Sequence, residues 1–194
     1  MILGVLVTLA AFFFASVLRL FLTRITNRSF SNMILYLRPD GEEILRELMD
    51  TSIERALAQN LSHKQFREEQ LDRIRLADEY LGHRNHNAWV CQGWGDTELR
   101  KARETGDQEM EAAADALVVA CAEFRIGASS IKFQLHFWQF KLFLLPFVRL
   151  PRLSRMRKVD YFDVFDSYEK IREAALKLAE LCGGDYHERL LQAL

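Results

Sequence analysis

LSHKQFREEQLDRIRLADEYL, residues 61–81, opens with a helix-start signal and continues along a single apolar stripe. Ser62 and Gln65 stand three residues apart, the spacing at which each side chain reaches the other's backbone N–H in a capping box. Leu61 and Phe66 occupy the two positions of a hydrophobic staple across that start. Leu71, Ile74, Ala77 and Leu81 then recur at steps of three and four, marking one face of a helix. An amphipathic helix of this kind must bury its stripe against others.

The same signals recur along the chain. Asp40 and Glu43 suggest a box opening a helix over 40–60, with Ile44, Leu45, Leu48, Ile53, Ala56 and Leu57 on a stripe that Leu61 continues. Thr105 and Gln108 suggest another, followed by Met110, Leu117, Val118, Cys121 and Phe124. Asp160 is expected to open a helix with Tyr161, Val164, Phe165, Tyr168, Ile171, Ala175, Leu178 and Cys182 inward, ended by Gly183-Gly184. Asp185 and Glu188 suggest a short last helix. Strand signals are few, the one rival being IKFQLHF at 131–137, which alternates with period two. The expected class is all-α: an antiparallel helical bundle over 40–194.

The 194 residues suit one domain with an appendage, and composition is that of a globular protein. Cys91, Cys121 and Cys182 are too few and too scattered for a disulfide framework, which fits a reducing compartment. The net charge of −1 hides a strong division. Residues 1–38 hold four arginines and no acid, and residues 146–158 hold five cations and no acid. The rest of the chain is net acidic. Each basic segment directly follows an aromatic-rich apolar run.

The first run, MILGVLVTLAAFFFASVL, would form about 27 Å of helix, close to the thickness of a bilayer core. A cleaved signal peptide fits poorly, because no cation precedes the run and no clear cleavage site follows. Residues 1–24 are therefore expected to be a single transmembrane anchor, with 25–39 as a juxtamembrane linker. Arg19, Arg24, Arg28 and Arg38 all lie beyond it, so the positive-inside rule puts the domain in the cytoplasm and the N-terminus outside.

The second run, IKFQLHFWQFKLFLLPFV, carries five polar side chains, which disfavours a second crossing. Two readings remain: a core helix of the bundle, or an interfacial helix. RLPRLSRMRK follows it. Arg149, Arg152, Arg155, Arg157 and Lys158, with Trp138 in the run before, are the candidate lipid-binding residues, suited to anionic headgroups. Nucleic acid is not an expected partner, since no reading module accompanies the block.

LGHRNHNAWVCQGWGD, residues 81–96, lacks apolar helical periodicity and is expected to be a loop. His83, His86 and Cys91 are the candidates for a metal site there; otherwise the histidines are solvated and the tryptophans pack on the bundle. No catalytic residue and no cofactor is indicated, and no familiar catalytic motif occurs. The expected function is that of a membrane-anchored adaptor or scaffold, with membrane lipids, an unidentified protein and a second copy of the chain as candidate partners. A membrane-bound enzyme using 81–96 is the alternative.

Overall fold

The computed structural model describes residues 33–144, 153, 158–159, 162–183 and 190. Among these, five α-helices make a bundle: α1 Glu42–Leu48, α2 Thr51–Asn60, α3 His63–Thr105, α4 Gln108–Leu144 and α5 Val164–Leu181. A 3-10 turn, Ile34–Tyr36, precedes α1. Two two-residue strands, Lys158–Val159 and Phe162–Asp163, pair antiparallel just before α5. No helix of the described residues is long and apolar enough to cross a membrane, and the run expected as an anchor lies outside them.

The frame is a hairpin of two long helices. At 1.5 Å per residue, α3 is about 64 Å long and α4 about 55 Å. The capping box read from Ser62 and Gln65 is present, with both reciprocal bonds formed. The chain reverses over two residues. Gly106, at φ 74°, takes the left-handed conformation that lets its N–H and that of Asp107 return to the carbonyl of Ala102. Asp107 then caps α4 by accepting from Met110 N. Thr105 is the last residue of α3, so the expected Thr105–Gln108 box does not form.

Buried residues of α3 include Gln70, Ile74, Ala77, Leu81, Arg84, Ala88, Cys91, Gly95, Glu98 and Ala102, at alternating steps of four and three. Those of α4 include Ala114, Leu117, Cys121, Phe124, Ala128, Ile131 and Leu135, on the same rhythm. A 3.5-residue repeat keeps one seam of each helix facing the other, as in a coiled coil. At Gly95 the backbones come close: a Cβ there would lie 3.0 Å from Val118 Cγ2. Val164, Tyr168, Ile171, Ala175 and Leu178 continue the pattern on α5, which packs mainly on α4 and meets α3 at Asn87.

Several expectations need correction. Residues 81–96 are not a loop; they form the middle of α3, where Arg84, Asn87, Gly93 and Gly95 hide the buried seam from a hydrophobicity reading. The helix expected over 40–60 is two helices, broken at Met49-Asp50, and Asp50 caps the second by accepting from Ser52 N. Gly41, not Asp40, precedes α1, with no side-chain cap. In α2 the buried residue is Glu54, while Ala56 is exposed. The helix expected from Asp160 begins at Val164, capped by Asp163, and Cys182 at its far end is exposed. The 131–137 segment is helical. Gly183, at φ 71°, ends α5 as read.

Candidate functional site: a polar clasp and an apolar outer face

Two features of the bundle stand apart from ordinary packing. The first is a buried polar clasp holding residues 33–42 against α3 and α5. Met33 is fully buried. Asn87 treats the backbone of Arg38 as a strand partner would: its Oδ1 accepts from Arg38 N and its Nδ2 donates to Arg38 O, both at 2.8 Å. The same Nδ2 donates to Tyr168 Oη at 3.1 Å, so one amide joins the N-terminal segment, α3 and α5. His86 Nε2 lies 3.0 Å from the carbonyl of Tyr36.

One turn away, Arg84 is 1% exposed and grips Asp40 with two bonds, Nε to Oδ1 at 2.7 Å and Nη2 to Oδ2 at 2.8 Å. Its guanidinium sits 4.5 Å from the Tyr168 ring centre and 5.4 Å from that of Phe165, so its buried charge meets both a carboxylate and two ring faces. Glu42 extends the cluster, 3.8 Å from Arg84 and 3.7 Å from Arg172. The hydrogen bond from Arg46 holds the Glu42 carboxyl below the usual carboxylate range, against partial desolvation and with help from the charges of Arg84, Arg46 and Arg172. Burial pushes the Tyr168 hydroxyl well above its ordinary value, opposed by the bond from Asn87.

A second buried acid reaches toward the basic block. Glu54, 3% exposed, accepts from Gln70 Nε2 and, at 2.9 Å, from the backbone N–H of Leu153. Leu153 is fully buried. The middle of RLPRLSRMRK is thus fastened to α2 and α3. Arg149, Arg152, Arg155 and Arg157 lie outside the described residues, and Lys158 belongs to the first strand.

The second feature is the outward face of α4. Its exposed positions include Ala112, Ala116, Val119, Glu123, Ile126, Ser130, Phe133, Phe137 and Phe140, a second seam with alternating steps of four and three, flanked by exposed Asp115, Ser129 and His136. Ile126 is 74% exposed, Phe133 72% and Phe140 61%. A solvent face is normally charged, and at these nine positions the one charge is Glu123, with Asp115 exposed beside the Ala112–Val119 end. The neighbouring cations turn away from it: Arg125 donates to Gln92, and Lys132 pairs with Asp78 at 3.5 Å. His136 Nε2 also lies 3.5 Å from Asp78. Ile131 and Leu135 are fully buried and Trp138 is half-buried against the core, so the 131–140 segment serves the core along one seam and faces solvent along the other.

The metal candidates are not brought together. Cys91 is fully buried in the α3–α4 seam, and burial pushes its thiol up to about 12. His86 is committed to Tyr36 and stacks beside Trp89, while His83 lies edge-on to Tyr80. Among the described residues no group of three or more His, Cys, Asp or Glu is placed to hold a metal ion.

No protein-family model, curated protein or solved structure matches the chain. Its function must be argued from its own residues. Sequence reasoning missed Arg84, Asn87, Asp40 and Tyr168, whose partners lie more than forty residues apart. The one local signal was Arg84 standing between Leu81 and Ala88 on the inward rhythm of α3.

Proposed function

We propose that the protein is a membrane-anchored interaction protein, an adaptor or scaffold, whose bundle faces the cytoplasm. In this reading residues 1–24 form the anchor, and the outward face of α4 is the docking face. The block of Arg149, Arg152, Arg155, Arg157 and Lys158 rests on anionic lipid, with Trp138 nearby. The observation that carries it is the exposed, largely apolar seam from Val119 to Phe140, about 32 Å long. The charge division supports the membrane part, because both cation-rich segments follow apolar runs.

Vesicle binding tests the lipid part. A chain beginning at Ser31 keeps the buried Met33 and removes the strong apolar run that would mask weaker contacts. Each cation near an anionic surface contributes about 1 kcal/mol, so five supply up to roughly 5 kcal/mol, or more than three orders of magnitude in partitioning. Binding is expected to be strong on anionic vesicles, weak on neutral ones, and to fall as salt shortens the Debye length. Glutamine at all five positions is expected to abolish the charge-dependent part. Equal binding by parent and substituted chains would remove lipid from the function.

A further inference from the structure

The seam on α4 has a property that narrows the choice of partner: it is complementary to itself when reversed. We infer that the outward face of α4 docks on the same face of a second copy, antiparallel, about a two-fold axis between residues 131 and 132. This rests on the reading of that face as a docking surface and names its occupant.

In an antiparallel pair of heptad seams, each inward position of one type meets the other type in the partner. The exposed positions of α4 then form layers in which Phe133 meets Ser130, Phe137 meets Ile126 and Phe140 meets Glu123, each layer occurring twice by symmetry. Two large aromatic rings at the centre thus face two serines, the large-against-small packing that lets helices approach closely. Every large exposed apolar residue from Ile126 to Phe140 is covered in this register.

Charge selects the same arrangement. Glu123 is the one charged residue on the seam. Parallel pairing would set Glu123 against Glu123 of the other copy, a like-charge contact at an inward position. Reversal instead sets Glu123 opposite Phe140 of the other copy and about 25 Å along the helix from the second Glu123. Lys132, the cation nearest the axis, is engaged by Asp78 of its own chain, and Arg125 by Gln92.

A lipid surface accounts for Phe133, Phe137 and Phe140 but gives no role to the match between Ser130 and Phe133. The area is modest. Five seam residues per copy, Ile126, Ser130, Phe133, Phe137 and Phe140, bury on the order of 1,000 Å² in total, near the lower limit for a specific interface. Tethering both chains to one membrane would raise their effective concentration and favour such a contact.

Cysteine crosslinking of the full chain in membranes tests the register. Cys182 is exposed and is first replaced (Cys182→Ser), while Cys91 and Cys121 are buried. Ile126→Cys and Phe137→Cys are then made in separately tagged chains and produced together. The two positions face each other across the pair, whereas each lies eleven residues, about 16 Å, from its own copy. Oxidation is expected to give a mixed dimer carrying both tags, at least ten-fold above either self-dimer and above a Glu104→Cys control. Adding Phe133→Glu to both chains is expected to abolish it without changing helicity, because Phe133 is 72% exposed.

Self-dimers of Ile126→Cys would overturn the antiparallel register. Absence of any dimer above the control, from chains still recovered in membranes, would overturn the second copy as occupant while leaving the membrane reading intact. Loss of vesicle binding by Phe133→Glu in an uncrosslinked chain would assign the face to lipid instead. A chain missing from membranes would defeat the membrane reading, whatever it crosslinks to.

Discussion

Replacing Arg84 with methionine tests whether the clasp, rather than seam packing alone, holds the N-terminal segment to the bundle. Methionine keeps most of the apolar stem and removes the charge. Asp40, whose side chain is 10% exposed, would then lose both bonds from the guanidinium. Removing one partner of a buried pair costs about 3–5 kcal/mol, because the other charge stays buried and unpaired. The rings of Tyr168 and Phe165 lose a cation, about 1 kcal/mol more. The discriminating variant is the double change Arg84→Met with Asp40→Leu. With no charge left unpaired, it is expected to recover to within about 1 kcal/mol of the parent, since apolar replacement of a buried pair is often neutral. Urea unfolding followed by far-UV circular dichroism and by the fluorescence of buried Trp94 measures all three chains. A single variant within about 1 kcal/mol of the parent, or a double variant no better than the single, would refute the assignment.

Gly95→Leu is expected to cost at least about 3 kcal/mol in the same assay, since even a Cβ there meets Val118 Cγ2 at 3.0 Å and the helices cannot part without opening the seam. Toward acid, Glu42 supplies stability that is present above its ordinary value of 4.5 and lost as pH falls through its lowered folded value. Glu42→Gln should flatten that limb, and an unchanged acid limb would contradict the role given to it. Toward alkali the sign reverses: the Cys91 thiol, raised from 9.0 to about 12, stays protonated in the fold, so stability should decline as pH climbs through that window and less steeply in Cys91→Ala.

Capping chemistry and apolar rhythm were legible where they coincided. The Ser62–Gln65 box, the stripe of α5 and the glycine end at Gly183 could be read directly, because each rests on contacts within one or two turns. Starts were displaced where two capping residues competed: Asp163 displaced Asp160, and Asp107 displaced Thr105. The long helix was misread at its centre for a deeper reason. Positions 84, 87 and 95 are inward by geometry yet occupied by Arg, Asn and Gly, each justified by a partner far away in sequence or by close backbone approach. Glycine and histidine there suggested a loop, whereas Gly95 serves helix contact and His86 holds Tyr36. Of the candidate site, the apolar run beginning at Ile131 was legible as a helix serving either the core or an outer surface, but which of its faces met solvent depended on where α3 lay. The clasp was not legible, because nothing local in Arg84 announces Asp40.

The most direct test of the membrane reading is the topology of the full chain, tagged at its C-terminus, in isolated membranes. After alkaline carbonate extraction the chain is expected to stay in the membrane pellet, with the tag and residues 40–194 digested by protease added at the cytoplasmic face alone. Release of the chain by carbonate, or protection of the tag until detergent is added, would contradict it.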